Sequence, residues 1–367
     1  MKFSFIDNIR FYSILSIVTF HSCLVFLEFN KNDIVYDHTR QVEILSLMQF
    51  LRFGNICFFM VSGFLFGHSM KNSISAPSDA IHYVKKRWAV LKVPTLLFSF
   101  ILAILGLFIP VVKHFLSGDL LTFSMMVKQV CKDFFFGYTW FIYNLFLGLL
   151  LIIVINMYTS LKKTIFISTF ILAIFWSINP YFQWINVTAH MFTFLGFSFY
   201  ILLGYYLGMH QDLFQKILQF INNNRLFYVG MLIITFLIAY WESIYLYNNT
   251  SVLPYYNLKL STQIQSIVIF FGFCSFCTRP LYPSIFKPSV ETVGIYFLHT
   301  IVVFLLYFGS FAILILGFNI KGKEEIPFQI IPFLLIFSAI FVYLFTVICV
   351  KYIVKTKYSF LIGIKKS

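Results

Sequence analysis

Charged residues are scarce in this chain: they make up 11% of its 367 residues, against about 25% in an ordinary soluble domain. That shortage excludes a soluble globular protein. Internal repeats, low-complexity linkers and a polar appendage are also missing, which leaves one membrane domain over 1–367 as the expected organisation. Six cysteines, at 23, 57, 131, 274, 277 and 349, mostly fall inside apolar runs. Cys274 and Cys277 have CxxC spacing but lack a second pair or a neighbouring His, so they read as buried thiols and no metal site is expected. The first apolar stretch lacks a small-residue cleavage site and carries Arg10 and His21, which excludes a cleavable signal peptide.

What is present is apolar and aromatic. Hydrophobic residues make up 60% of the chain, with 50 Phe and 22 Tyr, a composition suited to helices that face lipid. Ten spans of about 20 residues fit the length. They are placed near 9–29, 45–67, 91–112, 137–157, 163–179, 190–209, 226–246, 262–280, 293–317 and 328–353. The fold class expected is therefore an all-α integral membrane protein, a bundle of about ten transmembrane helices.

Charge orients the bundle. With both termini in the cytoplasm, 18 of the 27 Lys and Arg residues fall on inside segments and 8 on outside segments, and Arg52 lies within the second span. The opposite orientation reverses the bias, so the positive-inside rule favours cytoplasmic termini. The net charge of +14 is thus largely a topology signal. Its basic residues are scattered over six segments rather than gathered on one face, and no nucleic-acid partner is expected. The outer loops combine aromatics with amides, as at Tyr181, Gln183, Trp184 and Asn186 or Pro254, Tyr255, Tyr256 and Asn257. Such side chains suit sugar faces and hydroxyls, and equally an interfacial aromatic belt.

Polar residues inside spans carry the sharper information, because lipid makes them costly without a partner or a function. His21 follows Arg10 by eleven residues. On a helix that returns it to nearly the same face three turns on, about 16 Å along the axis. Arg52 lies about two turns into the second span, where snorkelling is the alternative to function. Ser62 and Gly63 form a small-residue pair that also suits helix packing. Tyr296 and His299, three apart, share a face. Glu242 lies near an outer helix end and fits an interfacial carboxylate.

These residues fall into blocks. Asp7-Asn8-Ile9-Arg10 with His21 resembles the N-terminal signature of the membrane acyltransferase-3 family. Arg52-Phe53 followed by Phe58-Phe59-Met60-Val61-Ser62-Gly63-Phe64-Leu65 is similar to the family's second-helix block. Tyr83-Val84-Lys85-Lys86-Arg87, with Pro94 seven residues on, resembles its basic loop entering span three. Trp140-Phe141-Ile142 resembles its W-F block, and Gly294-Ile295-Tyr296-Phe297-Leu298-His299 its G-x-Y-x-x-H block. Five blocks in family order across about 300 residues make the match specific. Two positions depart from it: Ile56 stands where relatives often have Pro or Asp, and Val90 where many have a second Arg.

The resemblance implies an acyl-CoA-dependent O-acyltransferase of cell-surface glycans in the bacterial inner or plasma membrane. Acetyl-CoA would be a co-substrate rather than a bound cofactor, and the partners would be membrane lipid and a glycan acceptor. Transfer to a sugar hydroxyl needs a base, and histidine suits that role. On this expectation His21 is the base, and Arg10 with Lys86 and Arg87 anchors the donor's phosphates. Asp7 orients Arg10. Arg52, Ser62, Tyr296 and His299 are supporting or substrate-binding candidates. The competing class is a glycan-precursor transporter, flippase or polymerase. Paired half-repeats with broken helices would mark a transporter, and a large Arg-rich outer loop would mark a polymerase. Neither is found in the sequence.

Overall fold

A computed structural model describes residues 4–29, 38–73, 77–107, 111, 122–137, 139–185, 194–250, 256–316 and 331–364. Among the described residues it is helical, with no strand. In chain order the helices are α1 (Ser4–Phe29), α2 (His38–Leu47), α3 (Phe53–Ser73), α4 (Pro77–Gly106), α5 (Phe123–Phe136), α6 (Trp140–Met157) and α7 (Lys162–Phe182). They continue as α8 (Phe194–Met209), α9 (Gln211–Asn223), α10 (Arg225–Asn249), α11 (Leu260–Phe276), α12 (Pro288–Leu316) and α13 (Ile331–Lys355). A 3₁₀ turn, Met48–Arg52, joins α2 to α3. Outer-loop residues named above, including Asn186, Pro254 and Tyr255, lie outside the described residues.

Eight helices among the described residues are long and apolar enough to cross a membrane, and two shorter apolar helices, Gly196–Met209 and Leu260–Phe276, accompany them. Their outer faces are strongly apolar. Ile233, Ile234, Leu237, Ile238 and Trp241 on α10, and Phe337, Ile340, Phe341 and Leu344 on α13, are all exposed. In water such a surface would drive aggregation; against hydrocarbon it is the expected exterior. The backbone hydrogen bonds are satisfied within each helix, which is what lipid demands. By contrast α9 is amphipathic: Phe214, Leu218 and Ile221 point inward at i, i+4 and i+7, and Asp212, Gln215, Lys216 and Gln219 face out.

The closest helix pair is α3 against α8. Each helix carries two glycines four apart, Gly63 and Gly67 on α3, Gly204 and Gly208 on α8. A Cβ at Gly63 would lie 1.9 Å from the Ile201 carbonyl oxygen, and one at Gly204 would lie 2.0 Å from that of Met60. Gly67 and Gly208 would meet the Tyr205 and Phe64 carbonyl oxygens at 2.3 Å. The two backbones therefore touch along a small-residue seam, a packing mode that suits membranes, where close van der Waals approach replaces the hydrophobic drive.

One boundary differs from the sequence expectation in a way that matters. Lys85, Lys86 and Arg87 do not form a loop: they lie in the first half of α4, a helix of 30 residues that continues through Pro94. Helical spacing therefore separates their side chains around α4, and the three do not act as one patch.

Candidate functional site

The start of α1 is held by its asparagine. Asn8 is fully buried. Its Nδ2 donates to the Cys277 carbonyl at 3.0 Å and the Arg279 carbonyl at 2.7 Å, and its Oδ1 accepts from the Leu281 amide at 2.8 Å. One turn on, the Tyr12 hydroxyl donates to the Leu281 carbonyl at 2.7 Å. The segment leaving α11 is thus tied to α1 by a side chain that matches its backbone groups one for one. Asp7 and Arg10 flank this clamp and pair at 3.3 Å across one turn. Arg87 of α4 lies within electrostatic range of Arg10. Its Nη2 donates to the Tyr83 hydroxyl at 3.3 Å, and Tyr83 in turn stacks on Phe66 of α3 at 4.7 Å. Two arginines from different helices therefore converge at one end of the bundle. Lys86 is exposed on α4 and is not drawn into this group.

Farther along α1, His21 meets His299 of α12. The Nδ1 of His21 and the Nε2 of His299 are 2.9 Å apart. The ring planes differ by 3° with centroids 5.2 Å apart. The centroid separation exceeds the nitrogen separation by about two ring radii, so the rings meet edge to edge in one plane, along the direction of the nitrogen lone pair. The tautomers follow by elimination. The Nδ1 of His299 faces the Ile295 carbonyl at 3.0 Å and must donate to it. A neutral His299 then has only a lone pair on Nε2, and the His21 Nδ1–H donates to that lone pair. The acceptor nitrogen of His21 is consequently Nε2. A histidine whose base nitrogen is fixed by a second group, itself fixed by a third, has the relay layout of a general base.

The surroundings reinforce this placement. Tyr296, one turn before His299, lies 6.1 Å from it between ring centroids and packs against Phe141 at 5.4 Å. Phe141 also stacks on Phe59 at 4.4 Å. The aromatic blocks of α3, α6 and α12 thus meet around the base of the histidine pair. Arg52 is buried at the end of the 3₁₀ turn, its guanidinium carbon 4.0 Å from the centroid of Phe20, the neighbour of His21. That contact is a cation–π interaction, and it holds Arg52 within electrostatic range of His21. Ser62 is not drawn to this centre. Its hydroxyl donates to the Phe58 carbonyl of its own helix at 2.8 Å, beside the glycine seam.

Two features were not legible in advance. Asn8 stands inside the N-terminal signature, yet its clamp needs a partner about 270 residues away. Glu242, expected at an interface, is buried: its carboxylate accepts from the Ser261 amide at 3.0 Å, from the Ser261 hydroxyl and from the Tyr181 hydroxyl. It caps the start of α11 from α10, where a helix's positive end favours a carboxylate. Beside it Lys259 is fully buried and donates to the Ala239 carbonyl and the Ser243 hydroxyl. Among the described residues no group of three His, Cys, Asp or Glu side chains has the arrangement of a metal site.

Comparison with known proteins adds one finding. No curated protein and no solved structure matches the chain. A family model described as an acyltransferase domain matches residues 3–353. That match spans Asn8, Arg10, His21, Arg52 and His299 together, and the chain belongs to the acyltransferase 3 family.

Proposed function

We propose that the chain moves an acetyl group from acetyl-CoA, bound at the cytoplasmic face, to a hydroxyl of a cell-surface polysaccharide or its lipid-linked precursor. The whole chain acts as one domain of ten crossings in the cell membrane, the eight long helices and the two short ones, with both termini cytoplasmic. The observation that carries the reading is the in-plane hydrogen bond from His21 to His299, which leaves Nε2 as the base nitrogen of His21.

The chemistry runs as follows. Arg10 and Arg87 receive the donor's phosphates, for which two convergent guanidinium groups are suited. The pantetheine arm spans the roughly 16 Å of helix from Arg10 to the histidine. The acceptor hydroxyl gives its proton to His21 Nε2 as its oxygen attacks the thioester carbon. The new C–O bond forms and the C–S bond breaks. The departing thiolate takes the proton back from the imidazolium, so His21 ends neutral. While the tetrahedral oxyanion exists, the Arg52 guanidinium supplies positive charge beside it. His299 holds the His21 ring in the tautomer this sequence requires.

The test measures ester-bound acetyl on the surface polysaccharide of a deletion strain carrying wild type, His21→Ala or Arg10→Ala, with membrane insertion verified. Both variants are expected to lose the ester. Normal acetylation in His21→Ala would overturn the assignment.

A further inference from the structure

Two glutamines near the start of α11 and the start of α3 are buried without matching their polar atoms. Gln265 is 0% exposed, and neither its Nε2 nor its Oε1 has a hydrogen-bond partner. Gln49 is 0% exposed, and its Nε2 is likewise unmatched, while its Oε1 accepts from the Thr262 hydroxyl at 3.3 Å. Native interiors leave few such groups, because an orphaned buried amide costs its full desolvation.

The same helix shows that this fold knows how to satisfy an amide. Gln263, two residues away, accepts from the Tyr200 hydroxyl and donates to the Ser177 hydroxyl at 2.6 Å and to the Leu258 carbonyl. Ser261 and Ser266 are matched as well. Elsewhere the Asn257 amide and Ser275 Oγ are also unmatched, but Gln265 and Gln49 fall together on the face of α11 that meets the 3₁₀ turn.

That face leads to the histidine pair. Gln49 and Arg52 are three apart on a 3₁₀ turn, where residues i and i+3 eclipse and share a side. Arg52 lies over Phe20, next to His21, and within electrostatic range of both His21 and Lys259. Thr262 binds Gln49, and Gln265 follows one turn later. Beyond Gln265 the same stripe of α11 continues as Ile269 and Gly272, which line an apolar groove of about 750 Å³ that also reaches Thr19 and Leu51, the sequence neighbours of Phe20 and Arg52.

We propose that Gln49 and Gln265 are the acceptor-binding residues, which take hydroxyl groups of a sugar and hold one of them toward His21. The fit is chemical. Each sugar hydroxyl is both donor and acceptor, and the unmatched set contains two amide N–H donors and one carbonyl acceptor. One hydroxyl donates to Gln265 Oε1, and its neighbour accepts from Gln49 or Gln265 Nε2. A site of this kind discriminates strongly against an acceptor that lacks the hydroxyl, because its own polar atoms then stay unpaired. The inference rests on the acyl-transfer reading above and adds to it the residues that select the acceptor.

The test uses Gln265→Leu and Gln49→Leu in the deletion strain, beside wild type and His21→Ala. Ester-bound acetyl on the native surface polysaccharide is expected to fall about 10- to 100-fold in each glutamine variant, the range for losing hydrogen bonds to a buried polar partner. The purified Gln265→Leu protein is expected to melt at or above the wild-type temperature, because the substitution removes an orphan. A purely structural glutamine predicts the reverse, a lower melting temperature with the ester retained, and either of those results overturns the proposal. Affinity for acetyl-CoA, measured on the same preparations, shows that a lost ester is not a lost donor site. Should wild type and His21→Ala carry equal ester, the acyl-transfer reading itself fails, whatever the glutamine variants do. Extraction of labelled acetyl into the lipid phase or the polysaccharide phase tells whether the sugar arrives on a lipid carrier or on finished polymer.

Discussion

Replacing Gly63 by Ala should destabilise this protein, and the structure sets the size of the effect. The added Cβ would stand 1.9 Å from the Ile201 carbonyl oxygen and 2.9 Å from the Tyr205 amide nitrogen. Real Cβ atoms do not approach within 3.0 Å, so α3 and α8 must separate by at least 1.1 Å at this point. Both obstacles are backbone, so no side-chain rotation relieves them. Overpacking of this kind costs roughly 1–3 kcal/mol, and rigid backbone places Gly63→Ala toward the upper end. Alanine returns about 1 kcal/mol through its better helix propensity, for a net loss of about 2 kcal/mol. Gly230, with nothing within 4 Å of a Cβ, provides the matched control. Gly230→Ala should gain about 1 kcal/mol, the propensity term alone. Thermal melting of the purified proteins in detergent separates the two, with opposite signs expected. The double variant Gly63→Ala, Gly204→Ala should lose less than the sum, because one separation of the helices relieves both clashes. A Gly63→Ala protein that melts at or above wild type would refute the seam.

Other outcomes follow from the site. His299→Ala removes the group that fixes the His21 tautomer and should lower acetyl transfer by about 10²-fold or more, while His299→Gln, whose carbonyl can still accept from Nδ1–H, should recover part of it; transfer rates in purified protein check this. Asn8→Ala breaks three hydrogen bonds, one buried and two part-buried, and should cost about 2–4 kcal/mol in a detergent melt, at about 1 kcal/mol each plus the orphaned backbone groups. Glu242→Gln should destabilise by about 2–3 kcal/mol, because the charge that accepts from Ser261 and Tyr181 is lost, and adding Lys259→Met should restore the part that comes from the nearby buried Lys259 in the same melt. Acetyl-CoA affinity should weaken with added salt in wild type and less steeply in Arg87→Ala, as titrations at two ionic strengths would show.

How much of this was readable from the residues divides along physical lines. Hydrophobic run length gave the helical membrane architecture, because span length is set by bilayer thickness rather than by partners. It misjudged the segment before span three, since a basic stretch that opens a helix has the same composition as a basic loop. Arg10 and His21 were nominated by their cost in lipid, a local property. The bond between His21 and His299 crosses 278 residues and leaves no periodicity to detect. Ser62 illustrates the opposite error: a polar residue beside Gly63 attracts a functional reading, while its hydroxyl satisfies its own helix and the glycine next to it lets the α8 backbone approach. Gln49 and Gln265 carried no motif at all. Gln263 is buried too, and only the unmatched amide atoms distinguish the other two from it.

The clamp at Asn8 has a consequence for how the chain is made. Its carbonyl partners are Cys277 and Arg279, and the partner of His21 is residue 299. Synthesis proceeds from the N-terminus, so α1 enters the membrane with its asparagine and histidine waiting through most of translation. Until α11 and α12 have inserted, the Asp7–Arg10 turn has no anchor and the His21 ring has no fixed tautomer. A stalled or truncated chain therefore holds Arg10 and His21, the residues proposed for donor and base, in one helix without the partners that position them. These contacts of the first helix can form only after the two late-made helices have packed on it.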